Sequence, residues 1–169
     1  MAFNTKNMGG SNKEQAAEAI AYLRQDRNAQ AFLLLSELKT EKDPAVQFAL
    51  GLCHLRAGGM DEAIRCFEQA LQLAKTIPAN VASGGSPWMA ENSEAFLNLT
   101  KQQIDDEIFL TPMDDVFFER FPKTAGQNVL MALIHANRQT GATEQARRLM
   151  AGLIGPAFDD YKGKLMEGQ

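Results

Sequence analysis

The sequence is poor in the residues that several common classes of protein depend on. Two cysteines and two histidines in 169 residues are too few for a disulfide-stabilised secreted scaffold or a zinc site. The net charge of −4 disfavours a nucleic-acid binder that works by neutralising phosphates. Apolar runs such as Ala31 to Leu35 are far shorter than a membrane span. We therefore expect a protein of a reducing compartment, with neither a nucleic acid nor a membrane as its partner.

The composition that remains is that of a folded domain. Apolar residues make up 45% and charged residues 22%, which is typical of a globular chain. Residues 1–11 are polar, contain Gly9, Gly10 and Ser11, and lack the apolar core of a signal peptide. We expect a flexible N-terminal tail at 1–11, one domain over 12–169, and a cytoplasmic location.

The acidity of the chain is concentrated in its middle third. Residues 77–125 contain three Lys or Arg against eight Asp or Glu, a balance of 3 − 8 = −5, whereas residues 1–76 balance at nine of each. The acidic pairs Asp105-Asp106 and Asp114-Asp115 do not form a metal or acid–base site by themselves, because adjacent side chains on a helix diverge. We interpret them as solvated or as stabilising a helix N-terminus, and a basic partner surface is the alternative.

Helical periodicity is clearest between Asp43 and Lys75. Apolar residues recur at three and four positions on either side of Gly58-Gly59, which ends the first helix, and the acidic pair Asp61-Glu62 opens the second. Two antiparallel helices joined by a tight turn are predicted.

The residues of this hairpin resemble the tetratricopeptide repeat (TPR), a pattern of about 34 residues. The matching positions are Leu50-Gly51, His54, Gly58, Asp61-Glu62-Ala63-Ile64, Phe67, Ala70-Leu71 and Leu73. Small residues at Gly51, Ala63 and Ala70 let the two helices approach closely. Two positions depart from the family: His54 stands where tyrosine is usual, and Lys75 where proline is frequent.

A repeat of this kind buries its faces against neighbours, so flanking hairpins are expected. Helical patterns over Lys13–Leu23 with Asn28–Leu38, and from Leu130 to Leu153, fit that role. Ala63 and Ala146 are 146 − 63 = 83 positions apart, which leaves about 15 residues beyond two repeats of about 34. We assign that excess to an insertion loop at about 78–92. A helix capped by Asn92 or Ser93, a short helix from Met113 to Phe121 and a final helix from Phe158 to Met166 complete the prediction.

The resemblance implies an all-α, right-handed superhelix of about four TPR-like antiparallel helical hairpins, the third diverged and preceded by the insertion. In the family, peptides bind along the concave face lined by the first helix of each hairpin. Transferring the repeat pattern to this chain places seven residues there: Ala45, Phe48, Leu52, Leu55, Arg56, His135 and Arg138. Phe48 and Leu52 replace the lysine and asparagine of family members that clamp a terminal carboxylate. The groove is therefore expected to be apolar, with Arg56 orienting a polar group.

Two alternatives stay open at this stage. The groove binds a partner, or a segment of the same chain, such as the 78–88 loop or the C-terminal helix, covers it. Trp88 is either an interaction residue on that loop or an anchor of the loop to the core.

The sequence contains no phosphate-binding loop, nucleophile elbow or dinucleotide fingerprint, and Cys53 and Cys66 are expected to be packing residues. We therefore expect no cofactor, no metal and no catalysis. The predicted function is that of a protein–protein interaction module, an adaptor that binds a partner peptide or helix. A small TPR-type chaperone that keeps a secreted or membrane-inserting client soluble is the alternative. A homodimer is compatible with either function.

Overall fold

The structure is a computed structural model that describes residues 12–38, 42–78 and 93–167. These residues form nine α-helices and two short 3₁₀ turns, and no strand occurs among them, so the expected all-α class is confirmed. The predicted tail 1–11 and residues 79–92 of the predicted insertion lie outside the described residues, and so does Trp88.

The first four helices form two antiparallel hairpins. Helices α1 (Asn12–Arg24) and α2 (Asn28–Glu37) make the first hairpin, and α3 (Pro44–Arg56) and α4 (Met60–Ala74) make the second. Asp43 caps α3 by accepting hydrogen bonds from the backbone N–H groups of Ala45 and Val46 at 2.9 and 3.4 Å. The turn after α3 passes through Gly58 at φ +81°, a conformation that favours glycine.

The described residues that follow, 93–121, do not form an antiparallel hairpin among themselves. Helix α5 (Glu94–Asp105) starts at Ser93, whose Oγ accepts from the Phe96 N–H at 3.2 Å. It packs against two 3₁₀ turns, Ile108–Leu110 and Pro156–Phe158. The short helix α6 (Asp115–Arg120) follows and packs against α3 and α7.

The last hairpin consists of α7 (Pro122–Gln139) and α8 (Thr143–Met150), which are joined through Gly141 at φ +77°; α9 (Asp159–Glu167) ends the described chain. Helix α7 packs extensively on α4. The described residues therefore contain three hairpins that stack in chain order. Residues 93–121 connect the second hairpin to the third in the sequence. The expectation of about four hairpins, with a diverged third repeat between α4 and α7, is wrong for these residues, because α7 itself occupies the place beside α4. A right-handed TPR superhelix stays a prediction.

One hydrophobic core joins these parts. Its buried residues run from Ala16 in α1 to Leu165 in α9, and the three hairpins, α6 and both 3₁₀ turns contribute to it. No described helix combines the length and the apolar character that crossing a bilayer requires.

Candidate functional site

Three of the residues predicted to contact a partner belong to the core. Ala45 is 1% exposed, and Phe48 and Leu52 are fully buried. The ring of Phe118, from α6, lies edge-on to Phe48 with 6.5 Å between the ring centroids. The expectation that these three side chains line an open groove is therefore wrong for this structure, since residues of the same chain surround them. Leu55 is partly buried and packs against the same core.

Arg56, predicted to orient a polar group of a partner, instead bonds within the chain. Its Nη1 donates to the Leu23 carbonyl at 3.1 Å and to Asn28 Oδ1 at 2.7 Å, and lies 3.7 Å from Asp26 Oδ1. All three oxygen atoms belong to the end of α1, the α1–α2 turn or the start of α2. Arg56 therefore joins the first two hairpins. Asp26, in the turn between α1 and α2, has a left-handed backbone with φ +58°.

His135 lies in an aromatic cluster at the side of α7. Its ring meets Phe109 edge-on at 6.2 Å between centroids, and Phe109 meets Tyr161 in the same way at 6.3 Å. Nδ1 of His135 is 4.0 Å from Glu107 Oε1, which is too long for a hydrogen bond. Arg138, the other outer residue predicted to bind a partner, is exposed beside this cluster.

Burial sets the protonation of this cluster. It lowers the pKa of His135, and Arg138 acts in the same direction while Glu107 opposes both. Burial also raises the pKa of Tyr161. The neutral form of His135 is therefore favoured. The other histidine, His54, contacts Phe32 of α2 at 5.4 Å between ring centroids, so the two histidines do not share one cleft.

An open apolar pocket lies elsewhere, between α5, the first half of α7 and the turn around Pro156. Its volume is about 350 Å³, which falls in the range of small-molecule sites. We call it the α5–α7 pocket. Its described lining is Phe96, Leu97, Thr100, Gln103, Ile104, Ile108, Phe109, Lys123, Thr124, Gln127, Asn128, Met131, Ile154, Gly155, Pro156, Ala157 and Phe158.

Exposed apolar side chains converge on this pocket. Phe96 is 42% exposed, Ile108 41% and Ile154 71%, and each comes from a different segment of the chain. Large apolar side chains scattered singly are ordinary on a surface, whereas several around one cavity mark a binding surface. Sequence reasoning missed the pocket because its walls come from three regions whose packing the repeat pattern does not specify.

Two amides shape the pocket. Gln127 donates from Nε2 to the Gly152 carbonyl at 3.3 Å and accepts from the Ile154 N–H at 3.2 Å, which joins the 152–154 loop to α7. Asn128, which is partly buried, directs its Nδ2 at the sulfur of Met113 at 3.6 Å, and a thioether is a weak acceptor. Of the described lining residues, Lys123 is the one that carries a charge.

The described residues contain no group of three or more His, Cys, Asp or Glu side chains arranged to hold a metal ion. Compared with protein-family models, with curated proteins and with solved structures, the chain matches none. The interpretation of this site therefore depends on its geometry and chemistry.

Proposed function

We propose that this protein is a non-catalytic interaction module that binds an apolar segment of a partner protein in the α5–α7 pocket. The pocket replaces the groove of Ala45, Phe48 and Leu52 as the contact surface, because those side chains are buried. The observation that carries the proposal is the convergence of three exposed side chains, Phe96, Ile108 and Ile154, around one apolar cavity.

The chemistry of the pocket indicates the kind of segment that it accepts. Its interior is apolar and aromatic, with Ile104, Met131 and Phe158 among its walls, so burial of aliphatic or aromatic side chains supplies the binding free energy. The segment is therefore expected to present an aliphatic or aromatic side chain to the pocket.

The first experiment uses 8-anilinonaphthalene-1-sulfonate, an aromatic anion, as a probe of the pocket. The test variant carries Ile108→Asp and Ile154→Asp, which place two carboxylates at exposed positions of the rim. The matched control is Leu99→Asp, since Leu99 is 60% exposed on α5 but does not line the pocket. We expect probe fluorescence to fall by about tenfold in the test variant, because each carboxylate repels the sulfonate and hydrates the rim. Equal fluorescence in all three proteins would contradict the pocket assignment.

The second experiment addresses the partner. Wild-type protein and both variants are used for affinity capture, and a captured protein is then purified and titrated against each. The proposal predicts a partner that wild type and Leu99→Asp retain and that the rim variant loses. A partner bound equally by all three would locate the interaction elsewhere.

One observation favours the chaperone alternative. Phe32 and Leu33 are adjacent on α2 and 39% and 65% exposed, and chaperones of this type often dimerise through N-terminal helices. That function predicts a dimer in solution which Leu33→Asp dissociates, as light scattering would show. If light scattering shows that the wild-type protein is a monomer, the chaperone function is disfavoured and the adaptor function remains the proposal.

A further inference from the structure

Two ion pairs join α5 to α9 beside the α5–α7 pocket. Lys101 Nζ lies 2.7 Å from Asp160 Oδ2. Lys164 Nζ lies 2.7 Å from Asp105 Oδ1. The paired residues are four positions apart on each helix, so they follow one face of α5 and one face of α9. Each helix contributes one cation and one anion, in opposite order along the chain. We call these contacts the α5–α9 ion pairs.

The α5–α9 ion pairs are charged at neutral pH but add little to global stability. Hydrogen bonding to Lys101 lowers the pKa of the Asp160 carboxyl, and hydrogen bonding to Asp105 raises the pKa of the Lys164 ammonium. Both shifts favour the charged forms. The four side chains are between 37% and 63% exposed, and exposed pairs are weak. Their effect is therefore expected on the local geometry of the two helices.

Helix α9 is anchored independently of these pairs. Leu165 is 6% exposed and belongs to the core, and the ring of Tyr161 lies edge-on to the buried Phe109. Lys162 Nζ donates to the carbonyl of the buried Leu153 at 2.6 Å. These contacts fix α9 together with residues 154–158, which form one wall of the pocket.

Helix α5, which forms the opposite wall, has fewer anchors. Ile104 is the one buried residue among its 12, and Leu99 is 60% exposed. The pocket lining includes Thr100 and Ile104, which directly precede Lys101 and Asp105 in the chain. The ion pairs therefore act on α5 at the positions where the helix borders the pocket.

We infer that the α5–α9 ion pairs position α5 across the pocket and thereby set its affinity for an apolar ligand, an inference that rests on the function proposed above. The pairs connect the two walls without being among the described lining residues. Dispersion attraction falls steeply with distance, so a gap of about 0.5–1 Å between wall and ligand forfeits about a quarter to a half of each contact. The affinity of this mostly apolar pocket therefore depends on charge and on ionic strength.

The test uses N-phenyl-1-naphthylamine, an uncharged aromatic probe whose affinity is measured by fluorescence titration. Lys101→Asp with Asp105→Lys, the α5 exchange variant, opposes like charges at both pairs and leaves the net charge unchanged. It also places a cation at the C-terminal end of α5, which favours the helix itself. We expect this variant to bind the probe about three- to tenfold more weakly than wild type, a modest loss because exposed pairs are weak.

Restoring complementary charges distinguishes positioning from general damage. Adding Asp160→Lys and Lys164→Asp to the α5 exchange variant pairs opposite charges again. We expect the affinity to return to within about twofold of wild type. The control is Arg65→Glu, which disrupts the exposed 3.1 Å pair with Glu62 within α4 and should leave the probe affinity unchanged.

Ionic strength provides a second measurement that needs no variant. Raising sodium chloride from about 0.01 M to about 1 M shortens the Debye length from about 30 Å to about 3 Å, which weakens attraction and repulsion alike. Wild type should therefore bind the uncharged probe about twofold more weakly at high salt, whereas the α5 exchange variant should gain affinity. These opposite signs separate screening of the ion pairs from a general effect of salt on apolar binding.

Three results would overturn the inference. The α5 exchange variant binds the probe as wild type does, or the variant with all four changes is folded by circular dichroism but binds no better than the α5 exchange variant. The third result is a wild-type affinity that stays constant or rises with salt, which also decides the matter if the α5 exchange variant does not fold.

The same probe distinguishes failure of this inference from failure of the proposed function. Binding that Ile108→Asp with Ile154→Asp abolishes, but that charge exchange and salt leave unchanged, supports the pocket and rejects positioning by the ion pairs. Absence of probe binding to wild type would refute the pocket itself, and positioning by the ion pairs with it.

Discussion

The ring of Phe67 occupies the space in which a Cβ atom of residue 51 would lie. A Cβ added to Gly51 would approach Cδ1 of Phe67 to 2.5 Å and Cζ to 3.1 Å, and Phe67 is fully buried. This contact sets the close approach of α3 and α4, so the glycine is required for packing and not for a special backbone angle.

The first prediction is that Gly51→Ala destabilises the protein. Alanine favours a helix by about 0.5–1 kcal/mol over glycine, but overpacking of a tight core costs about 1–3 kcal/mol and dominates here. Urea unfolding should therefore show a lower free energy of unfolding. The matched control is Gly126→Ala in α7, where an added Cβ meets nothing within 4 Å; it should be neutral or stabilising. A stability ranking in the opposite order would disprove the close contact.

The second prediction concerns the double change Phe48→Glu and Leu52→Glu. Both side chains are fully buried, so two carboxylates would have to enter the core without partners, at a cost of several kcal/mol. Because whole domains are stable by only about 5–15 kcal/mol, we expect loss of cooperative unfolding in circular dichroism. Leu99→Glu, at a 60% exposed position of α5, should unfold like wild type. A folded double variant would show instead that the two positions are accessible.

The helices of the hairpins follow from local sequence signals. The turn glycines at 58 and 141, the cap at Asp43 and the apolar spacing along α3 and α4 specify structure within a few residues, so these elements could be predicted. The short helix that begins after Asp114 is predicted for the same reason, because Asp114 lies only three residues before Phe117, whose N–H it caps.

The packing of elements that are distant in the chain could not be predicted from the sequence. That α7 packs beside α4, and that Phe118 covers Phe48, depends on where residues 93–121 return to the core. The repeat pattern alone places Phe48 on the concave face but does not say what covers it. The α5–α7 pocket was missed on the same grounds, because Phe96, Asn128 and Pro156 meet only in three dimensions.

The third prediction is that the two cysteines react slowly and in a fixed order. Burial raises the pKa of Cys53 to about 11, and the same cause raises the pKa of Cys66. Since the thiolate is the nucleophile, both thiols are weakly reactive near neutral pH. Cys53 is 4% exposed whereas Cys66 is intermediate, so a disulfide reagent should modify Cys66 first. The Cys66→Ser variant isolates Cys53, and fast labelling of that variant in the native state would contradict its burial.

The fourth prediction is a pH dependence of stability that His135 carries. Burial holds the pKa of His135 below its value in the unfolded chain, so between the two values the unfolded state binds more protons. The contribution of His135 to stability is therefore fully present above the unfolded pKa and is lost as the pH falls towards the folded value. Replacing the ring by one that does not titrate, His135→Phe, keeps an aromatic side chain against Phe109 and Tyr161 and removes this contribution.

Urea unfolding at about pH 7.5 and about pH 5.5 measures the effect, since these conditions bracket the ordinary histidine pKa. We expect wild type to lose more free energy of unfolding between the two conditions than His135→Phe loses. Glu107→Gln should increase the loss, because Glu107 is the charge that favours the protonated ring. The two variants thus move the pH dependence in opposite directions, which general acid sensitivity of other carboxyl groups cannot produce. An NMR titration of His135 with a pKa at or above the ordinary value would refute the prediction directly.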